Sequence, residues 1–182
     1  MAENKRREIL KELMNTYSKK ILNFFYYSIG DKEEARDLLQ DVFLKVYKGL
    51  PKFKGESSHY TWVYRIAINT LRTYLKRQKF KKFFSFEKIP EEIHPGYDPP
   101  SKPPLILYEV LKKMPQEFKE VILLYYYEEY GIKEISEILG IPEGTVKSRL
   151  FRGREFIKNY LEKRGFYGMW KIQGVFMGLF RG

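Results

Sequence analysis

Ala35, Leu38, Leu39, Val42, Phe43, Val46 and Tyr47 recur with a period of three to four residues, which gathers them on one face of a single helix. Ile9, Leu10, Leu13, Tyr17, Ile21, Phe24 and Phe25 keep the same period upstream, and Val146, Leu150, Ile157 and Leu161 keep it far downstream. No segment alternates apolar and polar residues as a half-buried strand must. The chain is therefore read as all-α. Local punctuation agrees with this. Asp31, with Glu34 three residues on, makes a capping-box start, while Gly49 and Pro51 end the helix between them. Trp62, Ile66, Thr70 and Thr73 form a weaker stripe on a helix expected to reach about Phe80.

One stretch breaks the helical pattern. Residues 83–104 contain six of the nine prolines, and proline removes a backbone donor and blocks helix. The segment reads as an extended acidic linker between two small helical domains, residues 1–82 and 105–164, with a hydrophobic tail at 165–182. Charge follows the same division. Residues 1–82 carry a net +10, the linker −2, residues 105–164 only +1, and the tail two basic groups. The whole chain, at 182 residues and net +11, calls for a polyanionic partner. With no Cys, disulfides, thiolate metal sites and cysteine nucleophiles are excluded. The charged start lacks the apolar core of a signal peptide and no run is apolar enough to span a bilayer, so a cytoplasmic location is expected.

The polar faces of the first domain carry the chemistry. Opposite the Ala35–Tyr47 stripe stand Asp37, Gln40, Asp41 and Lys45, with the two carboxylates four residues apart on one face. They suit either a solvated surface or a docking face for a basic helix. A metal site needs more ligands than two carboxylates, so no metal and no cofactor are expected. The loop from Phe53 to Trp62 mixes aromatic, small and polar residues. The helix after it shows Arg65, Asn69, Arg72, Lys76 and Lys79 at steps of 4, 3, 4 and 3. Between Glu56 and Glu87 there is no acidic residue, whereas an ordinary soluble surface intersperses both signs. Tyr60, Trp62 and Tyr64 beside this cationic row are the flat partners that unstacked single-stranded bases need, although Trp62 also reads as a core anchor.

In the second domain a short helix at Lys133–Leu139 leads through Gly140-Ile-Pro-Glu143 into a longer helix. Gly140 can supply positive φ for a tight turn, and Pro142 suits the start of the next helix. That helix displays Thr145, Lys147, Ser148, Arg149 and Arg152 opposite its apolar stripe. Short helix, glycine turn and a helix with a polar, basic front is the helix-turn-helix plan for major-groove reading.

The segments Asp37-Leu-Leu-Gln-Asp-Val-Phe-Leu-Lys-Val, Phe53-Lys-Gly-Glu-Ser-Ser through Thr61-Trp-Val-Tyr-Arg-Ile-Ala, and Glu134-Ile-Ser-Glu-Ile-Leu-Gly-Ile-Pro-Glu-Gly-Thr-Val-Lys-Ser-Arg-Leu occur in that order. Together they resemble bacterial sigma-70 family sigma factors, and within them the extracytoplasmic-function (ECF) group, over about residues 8–164. The resemblance implies a non-enzymatic transcription initiation factor that binds core RNA polymerase on the largest-subunit clamp and the flap. It implies that Asp37, Gln40, Asp41 and Lys45 form the polymerase-docking face. Lys54, Ser57, Ser58, Tyr60, Trp62, Arg65, Asn69, Arg72 and Lys76 would capture and melt the −10 promoter element, with one base flipped into the loop. Thr145, Lys147, Ser148, Arg149 and Arg152 would read the −35 element. An anti-sigma factor, often membrane-bound, is the further partner implied.

The chain departs from the family pattern at four places. Thr73 stands where an acidic residue is common and Ile68 where a basic one is, and Ser136 and Gly153 stand where alanine is usual. A glycine within a helix costs up to about 1 kcal/mol relative to alanine. In the tail, Met169, Ile172, Phe176, Leu179 and Phe180 can share a helical face, which suits a cap on the second domain, a contact for an inhibitory partner or a contact for the membrane surface. His59 and His94 lack neighbours at ligand spacing. Two other functions fit part of the pattern. A duplex-only regulator explains the reading helix but gives the acid-free aromatic track no role. A metal-dependent nuclease would need ligands beyond Asp37 and Asp41.

Overall fold

A computed structural model describes residues 3–84 and 105–166. Most of the proline-rich segment and the tail beyond Phe166 therefore lie outside the described residues. Seven α-helices account for the described chain: α1 Glu3–Ile29, α2 Lys32–Gly49, α3 His59–Phe84, α4 Leu105–Lys113, α5 Gln116–Ile122, α6 Ile132–Leu139 and α7 Glu143–Glu162. A 3₁₀ turn at Leu50–Lys52 follows α2, and a π-helical turn at Leu123–Tyr127 extends α5. No strand occurs among the described residues.

Caps place the helix ends. The Asp31 side chain accepts from Glu34 N at 2.9 Å, satisfying one of the unpaired donors at the start of α2. Ser58 does the same for α3: its hydroxyl oxygen accepts from Thr61 N at 3.2 Å. Gly140 closes α6 at φ 65°, in the left-handed region open to glycine. The turn is tied from both sides, with Ile141 N donating to Ser136 O at 3.2 Å and Ser136 Oγ donating to Ile141 O at 2.6 Å. Serine in place of alanine at 136 thus adds a hydrogen bond that holds α6 to the start of α7.

The core is continuous across both halves. Ile21, Phe24 and Phe25 of α1 pack with Ala35, Val42 and Val46 of α2 and with Val63, Ala67 and Leu71 of α3, all fully buried. Arg6 fastens the start of α1 to the end of α2: its Nη2 donates to Tyr47 O at 2.6 Å and its guanidinium lies 3.6 Å from the Tyr47 ring centre. In the second half, Val146, Leu150, Ile157 and Leu161 of α7 bury against α5 and α6. The two halves then pack on each other. Tyr108 of α4 stacks on Tyr26 of α1 at 6.1 Å, and α6 lies along α3.

The α3 stripe differs from the sequence expectation. The buried line runs through Val63, Tyr64, Ala67, Ile68, Thr70 and Leu71, whereas Trp62 and Ile66 are half-buried and Thr73 is exposed. The reason is that α3 is covered on more than one side, so its buried face is wider than one stripe. Tyr64 meets Tyr17 of α1 edge-on at 6.4 Å and Tyr130 of the second half at 5.2 Å. It is an interior residue and offers no face to a base. Trp62, expected as a core anchor, is only partly covered, because its outer side borders an open cleft.

Candidate nucleic-acid interface

Three surfaces carry the residues singled out in the sequence. On α2, Asp37, Gln40 and Asp41 are exposed, and none has a partner among the described residues. Leu44, one turn further on and 56% exposed, adds an apolar side chain to the same face. Leu44 is absent from the apolar stripe Ala35–Tyr47, and its exposure agrees with that spacing. Lys45 turns toward α3 and donates to Thr70 Oγ1 at 2.8 Å, bracing the two helices.

The second surface is the entry to α3. Phe53 packs in a tilted arrangement against Trp62 at 4.8 Å and His59 at 4.9 Å, making an aromatic wall. This wall borders a cleft of about 720 Å³ lined by Gly49, Lys52, Phe53, Lys54, Glu56, Ser57, Trp62, Arg65 and Glu137. Gly49 is required by the close approach of the indole, since a Cβ there would lie 2.8 Å from Trp62 Cζ2. A cleft with aromatic faces and cationic rims is suited to an extruded base and its phosphate. Ser57 lines it, while Ser58 spends its hydroxyl on the α3 cap.

Along α3, Arg65, Asn69, Lys76 and Lys79 are exposed and Arg72 is half-buried. Not all of this row faces water alone. Arg65 Nε donates to Glu137 O of α6 at 2.8 Å. Arg72 grips Glu120 of α5 with two donors, Nε to Oε1 at 3.2 Å and Nη2 to Oε2 at 2.8 Å. Tyr60 donates to Glu134 Oε1 at 2.7 Å and stacks on Tyr130 at 5.3 Å. Burial and then the Glu134 carboxylate push the Tyr60 phenol up, so it stays protonated as the donor. These contacts join residues 48 to 74 positions apart, and no sequence period could announce them.

The third surface is the front of α7. Lys147, Ser148 and Arg152 are exposed, and Thr145 and Arg149 are half-buried beside them. Phe151, 60% exposed, shares their face with Ser148 and Arg152 at helical spacing. It lies off the buried stripe of Val146, Leu150, Ile157 and Leu161. Among the described residues no group of three or more His, Asp or Glu gathers to hold a metal, and no helix is long and apolar enough to cross a membrane.

Both halves of the chain match known family models. The sigma-70 region 2 model matches residues 13–81 and the sigma-70 region 4 model residues 105–157. The ECF RNA polymerase sigma-E factor of Haemophilus influenzae is 32% identical over 165 residues, covering 82% of this chain and 86% of the relative. The ECF sigma-E factor of Escherichia coli K12 is 32% identical over 150 residues, covering 75% and 77%. SigW of Bacillus subtilis is 29% identical over 168 residues, covering 85% and 90%. Among solved structures, the sigma factor RpoE in complex with the anti-sigma factor NepR from Bartonella quintana has a TM-score of 0.71 at 22% identity, over 84% of this chain and 96% of that one. CnrH in complex with the cytosolic domain of CnrY has a TM-score of 0.63 at 18% identity, over 86% and 90%. With both sigma-70 regions matched in order and a relative above 30% identity along most of its length, the chain belongs to the ECF group of the sigma-70 family of RNA polymerase sigma factors.

Proposed function

We propose that this sigma factor directs core RNA polymerase to its promoters through three separate surfaces, each with its own chemistry. The acidic face of α2, Asp37, Gln40 and Asp41 with Leu44 at its edge, docks on a basic helical element of the polymerase clamp. Charge sets the register and the leucine adds apolar burial beside it. The Phe53–Trp62 cleft and the row Arg65, Asn69, Arg72 and Lys76 hold the separated strand of the −10 element. Stacking on aromatic faces and phosphate contacts there offset the base stacking lost on melting. The α7 front, Thr145, Lys147, Ser148, Arg149 and Arg152, reads the −35 element in the major groove.

The observation that carries this reading is the aromatic-walled cleft at the head of a helix whose outer face is cationic. The functional division follows as residues 1–82 for docking and melting, 83–104 as connector, and 105–164 for −35 reading. The factor performs no catalysis: it contributes binding energy to opening and hydrolyses nothing. Its place of action is the cytoplasm. An anti-sigma factor is its regulatory partner, a reading supported by the structure above of RpoE in complex with the anti-sigma factor NepR.

Core polymerase capture tests the docking face. Wild-type protein is expected to retain purified core enzyme, and Asp41→Arg to lose it while keeping its helical circular dichroism. Retention by the charge-reversed protein would move the docking surface away from α2.

A further inference from the structure

The end of α7 carries a charged surface that none of the three roles above uses. Gly165, at φ 82°, closes the helix, and Phe166 N donates back to Leu161 O at 3.1 Å. Lys163 and Arg164 are exposed there, as are Lys112 and Lys113 at the end of α4. Tyr160 brings the two helix ends together. Arg164 lies 4.0 Å and Lys113 Nζ 5.8 Å from its ring centre, and its hydroxyl donates to Glu109 Oε2 at 3.2 Å. Glu109 pairs with Arg164 at 3.4 Å and is itself side by side with Lys112 and Lys113 in chain order. Residues 105–113 and 160–166 thus set four cations against the carboxylates of Glu109 and Glu162.

The chain leaves this cationic end through Phe166, which is 40% exposed. Residues 166–182 are apolar at ten of 17 positions, include Trp170 and Phe176, and hold Lys171 and Arg181 with no acid. Lys171 interrupts the apolar run far short of the roughly 20 residues that a bilayer span needs. Aromatic and aliphatic residues mixed with cations suit the headgroup layer of a membrane instead. Stable attachment to a lipid surface takes two signals, an apolar one and a basic one, and both meet here.

We propose that the end of α7 and α4, through Lys112, Lys113, Lys163 and Arg164, is a docking site for an anionic phospholipid surface, with residues 166–182 as its apolar part. Lys163 follows Lys147 by 16 residues, which is about 24 Å along a helix axis. Lipid contact at one end of α7 therefore leaves the reading front at the other end uncovered. The site adds a membrane-held pool of the factor to the promoter-bound one.

Sedimentation of the full-length chain with vesicles of about 30% phosphatidylglycerol in phosphatidylcholine, or of phosphatidylcholine alone, tests the site. Three paired variants are compared with wild type: Lys113→Gln with Lys163→Gln, Ile172→Ser with Phe176→Ser, and Lys5→Gln with Lys11→Gln as a charge-matched control on α1. Wild type is expected to bind the anionic vesicles about tenfold more tightly than the neutral ones. The first two pairs should each weaken that binding about tenfold, and the control less than about twofold. Wild type that ignores the anionic vesicles overturns the proposal, and a tail pair that then melts earlier than wild type assigns residues 166–182 to packing on the second half. Equal binding to both kinds of vesicle overturns it too. So does a loss shared equally by the Lys113/Lys163 and control pairs, or a tail pair that binds like wild type, since the net charge of the chain then suffices. The docking, melting and reading roles do not enter any of these outcomes.

Discussion

Gly153 of α7 lies against Ile122 of α5 with no room for a methyl group between them. A Cβ on Gly153 would fall 2.8 Å from Ile122 Cγ1 and 3.0 Å from its Cδ1, inside the closest approach that carbon atoms tolerate. Ile122 is fully buried and cannot swing aside. The glycine that looks unfavourable in an isolated helix is therefore what lets α5 and α7 meet at this spacing.

Gly153→Ala sets two effects against each other. Helix propensity favours alanine by up to about 1 kcal/mol, whereas forcing a methyl into a packed core costs about 1–3 kcal/mol. Overpacking is expected to win, with a net loss of about 1 kcal/mol read as a lower urea midpoint at unchanged slope. A variant more stable than wild type would mean that α5 retreats without cost.

Glu128 makes folding stability pH-dependent. Its side chain is fully enclosed, with Lys20 Nζ of α1 at 3.7 Å and the Tyr64 hydroxyl of α3, Tyr130 and Tyr127 around it. Burial raises its carboxyl above the ordinary value of 4.5, and the Tyr64 hydroxyl and Lys20 only partly oppose that. A raised folded-state pKa means that the native chain holds the proton more tightly than the unfolded one. The contribution is complete below 4.5 and is lost as pH rises through the raised value. Glu128→Gln stays neutral throughout, so the difference in melting temperature between variant and wild type should grow in the variant's favour from pH about 4 to about 8. A constant difference across that range would show that the carboxyl ionises as freely inside as outside.

Lys119 has the opposite sign. It is 4% exposed, and burial lowers its ammonium from 10.5 to about 8. A depressed folded-state pKa contributes stability that is present above 10.5 and lost as pH falls through about 8. At pH 7 the charged form is buried at a cost on the order of 3 kcal/mol, partly offset by its hydrogen bond to Ser28 O. Lys119→Met, which keeps the length and drops the charge, is expected to be at least as stable as wild type at pH about 7 and to lose the rise in stability between about 8 and 9.5. Urea midpoints at the two ends of that range check it, and an unchanged rise would assign the slope to other groups.

Phe151 is expected to matter for promoter affinity and not for folding. With 60% of its surface exposed it contributes little to the core, yet it stands among Ser148 and Arg152 where a thymine methyl would meet an apolar side chain. Phe151→Ala should leave the melting temperature within a degree or two and lower the reconstituted holoenzyme's affinity for a wild-type-selected promoter duplex about fivefold. A variant that melts early with unchanged promoter binding would place the ring in the packing of α7 instead.

Much of the fold was legible because its causes are local. The Asp31 cap, the Gly140 turn and the Val146–Leu161 stripe each depend on residues within a turn or two of one another, and the chain order alone places them. The α3 stripe was misread at Trp62 and Thr73 for the same reason: a single period assumes one covered side, and α3 has several. Leu44 and Phe151 lie off the apolar stripes of α2 and α7, and the structure shows both to be largely exposed.

The sequence by itself determined the helices, the acid-free cationic row, the reading helix and the family to which they belong, since each is written in residue types at short, fixed spacing. Tertiary structure alone decided what that row touches. Arg72 meets Glu120 across 48 positions, Tyr60 meets Glu134 across 74, and Lys119 meets Ser28 across 91. Such pairings depend on how whole helices lie on one another, which is set by the summed burial of many side chains and not by any local pattern.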